Sequence, residues 1–212
     1  ELYNFKEIAD ELERRGVQLR SQGDIEVVVE AIAAWGDEAF LKFDGMFALA
    51  CYDRREKHLL LARDRFGVKP LYYSRLSNGV LFGSEIKALL AHGSLVPEID
   101  LQGMAEYLTF QNFFSERTLF KDVCLLPPGT VLSISDNGEF MQRRYWDFDF
   151  KDRDSRNLDA IVDDLDERFR GAVERQSVSD VPVGCYLSGG MDTGSIASLA
   201  ARSMPDMCSF TV

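Results

Sequence analysis

Hydrophobic residues near the start of the chain recur at intervals of three and four, which is the periodicity of an amphipathic helix. Phe5, Ile8 and Leu12 fall on one face of such a helix, and we expect the helix to end at Gly16. Asn4 precedes it, with a glutamate three residues later, which is the spacing of a capping box. We therefore predict that the Asn4 side chain caps this helix.

A second helical segment, residues 24–36, is followed by a change of pattern at residue 45. Short apolar runs then alternate with turn-forming residues, which is typical of antiparallel strands, and the continuous apolar runs predict burial on both faces. We expect strands at residues 45–52, 58–62, 71–74 and 80–83, short helices at 85–91 and 101–108, and a hairpin of 130–134 and 140–145 around the turn 136–138.

From residue 158 the apolar positions return to helical spacing, and after residue 176 the pattern changes again. We expect a buried strand at 181–187, a glycine-containing loop at 188–193, a helix at 194–202 and a strand at 208–212. A strand, a helix and a second strand in this order form a βαβ unit, whose strands lie parallel in one sheet. This segment therefore predicts an α/β architecture.

The chain thus divides into two predicted domains of different fold class. Residues 1–150 have the pattern of an α+β domain with antiparallel sheets, and residues 158–212 have that of the first βαβ unit of a parallel-sheet domain. Residues 151–157, most of which are charged, are predicted to form a linker that follows the acidic positions Asp147 and Asp149. The length of 212 residues agrees with one domain and part of another, and we expect the second domain to be incomplete because one βαβ unit cannot complete a parallel sheet.

The net charge of the chain limits the kinds of partner molecule that we expect it to bind. Lysine and arginine number 24 and aspartate and glutamate number 35, which gives a formal net charge of −11. Because nucleic-acid binders neutralise phosphates with a basic surface, this balance argues against a nucleic-acid partner. The longest apolar run, residues 46–52, is far shorter than a membrane span, so we expect no membrane partner. Four cysteines without a CxxC pair fit reduced thiols in a cytoplasmic protein.

The loop predicted at residues 188–193 carries the clearest chemistry in the chain. Backbone N–H groups at a helix start favour an anion, and two adjacent glycines let the main chain approach phosphate oxygens closely. The loop has neither the Walker A nor the GxGxxG pattern, and its glycine pair alone would be an ordinary strand-to-helix turn. We expect Asp192 to hold a divalent cation, and the phosphate-binding residues to be Ser188, Gly189, Gly190, Asp192 and Thr193.

The whole loop resembles the SGGxDS loop of the ATP pyrophosphatases, with Thr193 in place of the usual final serine. Other segments resemble glutamine-dependent asparagine synthetases, and they occur in the same order as in that family. These segments are residues 45–48, 62–73, 83–89, 126–129 and 179–184. The resemblance runs over the whole chain, so its order of motifs is far more specific than any one of them.

The resemblance implies a class II glutamine amidotransferase domain with an N-terminal-nucleophile hydrolase-like fold. It also implies the start of an ATP pyrophosphatase domain with an adenine-nucleotide α-hydrolase-like fold. Such enzymes hydrolyse glutamine to ammonia, which travels to a second site where ATP and Mg²⁺ activate aspartate as an acyl-adenylate. Asparagine, AMP and pyrophosphate are the products. The family allows a homodimer, and glutamine, aspartate and ATP are the implied ligands.

Individual site residues follow from the same resemblance. Glu1 aligns with a glutamine-site residue, and Asp24 lies where an aspartate of the family binds the glutamine α-amino group. Asp24 also stands where a helix N-cap is expected, so both roles are open. Leu187 and Val212 fall where the family contacts the adenosine, and each could equally be part of a strand core.

The resemblance is incomplete, and this leaves three functional hypotheses. None of the four cysteines aligns with the amino-terminal nucleophile of the family, so we assign no catalytic residue. We expect the chain to be an excerpt of a glutamine-hydrolysing asparagine synthetase and to catalyse neither half-reaction alone. The first alternative is a related enzyme that acts on another carboxylate, as β-lactam synthetases, lasso-peptide cyclases or enzymes that amidate peptides and surface polymers do. The second is a non-catalytic paralogue that binds ATP.

Overall fold

The structure is a computed structural model that describes residues 1–150, 155–179 and 181–211. It divides into two units, Glu1–Phe148 and Asp149–Val212, and each is described by itself. Three parts of the chain lie outside the described residues. They are residues 151–154 of the predicted linker, residue 180 within the segment 179–184 that resembles the family, and Val212.

The first unit contains the helices and antiparallel strands that the hydrophobic pattern predicts, together with a four-residue helix and a two-residue strand that were not predicted. Its helices are α1 (Phe5–Arg14), α2 (Asp24–Trp35), α3 (Ala39–Lys42), α4 (Ile86–Leu90) and α5 (Leu101–Phe110). Its strands are β1 (Ala48–Asp53), β2 (His58–Arg63), β3 (Tyr72–Leu76), β4 (Gly79–Gly83), β5 (Cys124–Leu125), β6 (Thr130–Ile134) and β7 (Phe140–Arg144). The predicted hairpin is confirmed as the antiparallel pair β6–β7.

Two antiparallel sheets and a layer of helices form the cores of this unit. The sheet orders are β1-β2-β6-β7 and β4-β3-β5. On β2, Leu60 and Ala62 pack against α1, α2 and α3, whereas Leu61 points into a second core shared with Tyr73 and Leu132. Because β2 contributes to both cores, it is buried on both faces, as its continuous apolar run predicts.

The prediction that Asn4 caps α1 is wrong. Asn4 occupies the N-cap position, but its side chain makes no capping hydrogen bond, and its φ of −98° and ψ of 25° lie outside the extended conformation of a capping residue. Its amide instead reaches the segment after α3, donating to the Lys42 carbonyl oxygen and accepting from the Asp44 N–H, both at 2.9 Å. The side chain is therefore used for a contact about 40 residues away in sequence.

Two charged residues at the end of β2 are buried and bonded to backbone groups: Arg63, the last residue of the strand, and Asp64, directly after it. The Asp64 carboxylate is 1% exposed and accepts from four N–H groups, those of Phe47, Phe66, Val68 and Lys69, at 2.9–3.3 Å. The Arg63 guanidinium donates to the carbonyl oxygens of Gly67, Lys69 and Leu126 at 2.6–2.8 Å. Together they fix the loop that the sequence identifies only as a turn.

The second unit is a βαβ unit preceded by a long helix. Its elements are α6 (Leu158–Gln176), β8 (Gly184–Tyr186), α7 (Met191–Ser203) and β9 (Cys208–Phe210). The pair β8–β9 is parallel, which confirms the predicted arrangement. The predicted start of the second helix is wrong, because α7 begins at Met191, three residues early. Gly190 is extended (φ −77°, ψ 162°) and takes the N-cap position, so Asp192 and Thr193 lie in the first helical turn.

None of the helices within the described ranges is both long and apolar enough to cross a lipid bilayer. The predicted burial of the strand at 181–187 is wrong, because β8 pairs only with β9 in the described residues and Gly184 and Tyr186 are exposed. Cys208 on β9 is exposed as well.

Replacing Asp64 by alanine is expected to destabilise the first unit by at least about 3 kcal/mol, because four backbone N–H groups would lose a buried charged acceptor. Urea denaturation followed by far-UV circular dichroism measures the change. Asp53→Ala is the control, since the Asp53 carboxylate accepts from two N–H groups at an exposed turn, where water can replace it. Equal losses of stability in both variants would contradict the assignment of Asp64.

Candidate functional site

A cavity of about 400 Å³ in the first unit brings the two predicted glutamine-site residues together. Glu1 and Asp24 are its two acidic lining residues. The remaining lining residues are mostly apolar, and they come from three elements: Leu2 at the start of the chain, Ile25, Val28 and Val29 of α2, and residues 47–52 along β1. The cavity therefore combines two carboxylates with an apolar wall.

Glu1 is held by backbone pairing with a glycine-containing segment. Its nitrogen donates to the Met46 carbonyl oxygen at 2.8 Å, and its carbonyl oxygen accepts from the Met46 N–H at 3.0 Å. Leu2 and Gly45 form an antiparallel bridge between these bonds. A Cβ atom at position 45 would lie 2.3 Å from the Glu1 carbonyl oxygen, so the close approach requires glycine there.

Asp24 contacts the same segment from α2. Its Oδ2 atom accepts from the Leu2 N–H at 3.1 Å. Gly23, not Asp24, occupies the N-cap position of α2, and it has no side chain to cap the helix. The structure thus places Asp24 in the first turn with its carboxylate directed to the chain start. Within the described residues Oδ1 has no hydrogen bond, so it can accept one from a ligand.

Two carboxylates beside an apolar wall favour a small organic cation. An ammonium group supplies three donors and a charge opposite to both acids, and charge-assisted hydrogen bonds of this kind are among the stronger ones in proteins. The adjacent aliphatic side chains can contact methylene groups of the same ligand. The α-amino group of an amino acid fits the acidic end of this cavity.

Cys51 also lines the cavity, although sequence reasoning did not single it out. Leu49 and Cys51 lie two residues apart on β1. Because successive side chains of a strand point to opposite faces, these two lie on the same face. Burial, and secondarily the charge of Asp53, raises the pKa of the Cys51 thiol. A thiol that stays protonated near neutral pH is a weak nucleophile, so Cys51 is not prepared for covalent catalysis.

The segment 188–193 in the second unit forms a tight connection between β8 and α7. The Ser188 and Thr193 hydroxyl oxygens lie 3.1 Å apart, and the Ser188 N–H donates to Thr193 Oγ1 at 3.3 Å. The Gly190 N–H donates to Ser188 Oγ at 3.4 Å. Ser188 and Thr193, whose hydroxyls are predicted to bind phosphate, therefore contact each other. A bound phosphate would replace this contact.

The start of α7 is open to an anion. Gly189 has a φ of +78°, and an added Cβ atom there would meet no described atom within 4 Å. Within the described residues no side chain caps the first N–H groups of this helix. Exposed N–H groups at the positive end of a 13-residue helix are a suitable place for phosphate oxygens.

Asp192 is the residue of this loop that fits a divalent cation. Its carboxylate is exposed and has no hydrogen bond to the part of the chain that the structure describes. Over residues 1–150, 155–179 and 181–211 there is no group of three or more His, Cys, Asp or Glu side chains that could hold a metal ion. One carboxylate together with phosphate oxygens and water is nevertheless a usual coordination of Mg²⁺.

Leu187 connects the loop to the second strand of the unit. Its N–H donates to the Phe210 carbonyl oxygen at 2.7 Å. The exposed rings of Tyr186 and Phe210 lie 6.4 Å apart, and a Cβ atom at Gly184 would lie 2.8 Å from the Phe210 ring. Neither aromatic residue was predicted as a site residue. The two rings lie close together because Tyr186 and Phe210 are paired positions of the two parallel strands.

Comparison with protein families assigns both parts of the chain. The model described as glutamine amidotransferase domain matches residues 1–146. The model described as asparagine synthase matches residues 164–212.

Curated relatives match nearly the whole chain. Asparagine synthetase [glutamine-hydrolyzing] 3 of Bacillus subtilis is 36% identical over 202 residues, which is 95% of this chain and 33% of the relative. Amidase chyE of Penicillium rubens is 34% identical over 208 residues, which is 96% of this chain and 30% of the relative. The chain thus spans about a third of the length of the curated relatives that it matches.

A solved structure described as the allosteric regulatory enzyme of purine biosynthesis matches 99% of this chain and 42% of its own, with a TM-score of 0.50 and 16% identity. At this identity the likeness shows the fold alone. Together with the antiparallel sheets and their helices, it confirms the predicted N-terminal-nucleophile hydrolase-like fold class. The chain belongs to the glutamine amidotransferase domain family, joined to an asparagine synthase segment as in the glutamine-dependent asparagine synthetases.

Proposed function

We propose that this chain supplies the glutamine site and the ATP loop of a glutamine-dependent asparagine synthetase. The observation that carries the proposal is the meeting of Glu1 and Asp24 in one cavity, within the domain that matches the glutamine amidotransferase model. In the whole enzyme, glutamine is hydrolysed to ammonia. ATP activates the aspartate carboxylate as an acyl-adenylate, and ammonia displaces AMP to give asparagine.

In the glutamine site, Asp24 holds the substrate α-ammonium with its free Oδ1 atom. Glu1 adds a second negative charge at the same end of the cavity, and the aliphatic residues of α2 contact the substrate methylene groups. No residue of this chain is proposed as the nucleophile. The raised pKa of Cys51 supports this, because its sulfur stays protonated near neutral pH.

In the ATP loop, the N–H groups at the start of α7 bind the pyrophosphate portion of the nucleotide. Ser188 and Thr193 add hydroxyl donors, Gly189 and Gly190 allow the close approach, and Leu187 and Val212 contact the adenosine. Asp192 holds Mg²⁺, which neutralises phosphate charge when it is bound. The open helix start and the exposed Asp192 carboxylate support these roles.

The arrangement of the protein follows from the same proposal. Residues 1–150 form the glutaminase domain, residues 151–157 the linker, and residues 158–212 the start of the synthetase domain. The enzyme works in the cytoplasm and can form a homodimer, and it requires neither nucleic acid nor a membrane.

A second candidate is a related ligase that amidates another carboxylate. The relative named amidase chyE, at 34% identity, is nearly as similar to this chain as the relative named asparagine synthetase, at 36%. Pyrophosphate release by the protein as encoded in its genome, with aspartate and then with other carboxylates as acceptor, separates the two. Release that depends on aspartate supports the asparagine synthetase.

Replacing Asp24 by asparagine is expected to weaken L-glutamine binding at least about tenfold, because the ammonium loses its charged acceptor. The amide oxygen can still accept from the Leu2 N–H, so the fold should be retained. Titration of the chain with glutamine, followed by amide chemical shifts, measures the affinity. Glu30→Gln is the control, since it removes a charge from the same helix outside the cavity lining. Equal affinity of the parent for 4-carbamoylbutanoate, which lacks the amino group, would contradict the role of Asp24.

Replacing Asp192 by asparagine is expected to abolish the strengthening of ATP binding by Mg²⁺ while leaving the affinity for metal-free ATP unchanged or slightly higher. The reason is that the variant loses a cation ligand but keeps the helix N–H groups. Equilibrium binding of a fluorescent ATP analogue, with and without Mg²⁺, tests this. Asp206→Asn serves as the control, because Asp206 is exposed and lies outside the loop. An unchanged Mg²⁺ dependence in Asp192→Asn would refute the assignment.

A further inference from the structure

We propose that Asn4 is a positioning residue for the glutamine site, acting through the segment that holds Glu1. The inference rests on the proposed function, because it concerns the same cavity. It starts from the side chain that the sequence assigns to helix capping and that the structure directs elsewhere. Asn4 is not a lining residue of the cavity, so its effect on a ligand must pass through other residues.

The Asn4 amide bonds two backbone groups that are two residues apart. Its Nδ2 donates to the carbonyl oxygen of Lys42, and its Oδ1 accepts from the N–H of Asp44, both at 2.9 Å. Lys42 is the last residue of α3, so the first bond satisfies a helix-end carbonyl that has no partner within its own helix. A carboxylate cannot donate the first bond and an aliphatic side chain can make neither, whereas the Asn4 amide carries the donor and the acceptor on separate atoms and makes both.

These bonds fix the segment at the point where it starts to pair with the beginning of the chain. The Tyr3 N–H donates to the Asp44 carbonyl oxygen at 2.8 Å, and the Met46 N–H donates to the Glu1 carbonyl oxygen at 3.0 Å. Gly45 between them permits the close contact. The chain then continues through Phe47 into β1, which forms one wall of the cavity.

The consequence is that one side chain sets the spacing between Glu1 and the cavity wall. Asn4 holds Lys42 and Asp44, and Asp44 in turn accepts from the Tyr3 N–H. Two residues further on, Met46 pairs with Glu1, and the Leu2 N–H bonds Asp24. Loss of the Asn4 bonds leaves only the backbone pairing of Glu1 and Tyr3 to hold residues 44–46 at the chain start. The support that Glu1 and Asp24 share is then weakened.

Amide hydrogen exchange of the full chain tests the positioning directly. In Asn4→Ala we expect exchange of the Tyr3 and Met46 amides to accelerate at least about tenfold, while amides of β6 stay unchanged. Asn4→Asp keeps the acceptor for Asp44 but loses the donor for Lys42, so its exchange should be intermediate. Asn137→Ala is the matched control, because Asn137 also binds a backbone N–H, that of Glu139 at 3.0 Å, in a turn outside the cavity lining.

A double-mutant cycle with Glu1→Gln separates positioning from general destabilisation. Asn4→Ala should weaken glutamine binding about tenfold in the parent and much less in the Glu1→Gln background. Unchanged exchange at Tyr3 and Met46, or the same loss of affinity in both backgrounds, would overturn the proposal. A parent chain that does not bind glutamine refutes the proposed function instead. The exchange result then decides by itself whether Asn4 holds the segment.

Discussion

The buried carboxylate of Asp64 is the group on which the geometry of the first unit depends. Its side chain binds four backbone N–H groups, and its own carbonyl oxygen accepts from the N–H groups of Gly67 and Gly129. The neighbouring Arg63 carbonyl oxygen accepts from the Tyr145 hydroxyl at 2.9 Å. These bonds join β1, the loop after β2 and the start of β6. A buried charge is tolerable here only because every bond replaces one that water would make.

The candidate sites in the two units have a common principle. In each, the backbone determines the shape and a few acidic or hydroxyl side chains determine the chemistry. The first unit uses a glycine to bring two chain segments together beside an acidic pair, and the second uses glycines to open a helix start beside one acid. The predicted ligands carry opposite charges at these points, an ammonium in the first and a phosphate in the second, and the local groups match them.

Local patterns predicted the elements well, because a helix face or a strand run is contained within about ten residues. The segments around Asp24 and Ser188 were found because their residue order resembles a family. The role of Asn4 could not be predicted, since its partners Lys42 and Asp44 lie about 40 positions away and local spacing favours a capping box. The start of α7 was misplaced because the whole motif 188–193 was predicted to be loop, whereas the helix begins directly after the extended backbone of Gly190. Hydrogen bonds such as those of Asn4 cannot be inferred from a short window of sequence, because their two partners are never in the same window.

The contact between the Ser188 and Thr193 hydroxyls has a consequence for selectivity. An entering anion can reach the helix N–H groups directly, but it gains the two hydroxyl donors only by replacing this contact. A monatomic anion has a single atom to offer to all these donors, whereas a polyphosphate offers several oxygens at suitable spacing. The hydroxyl pair therefore favours a nucleotide phosphate over a simple anion, although it is a contact within the loop itself.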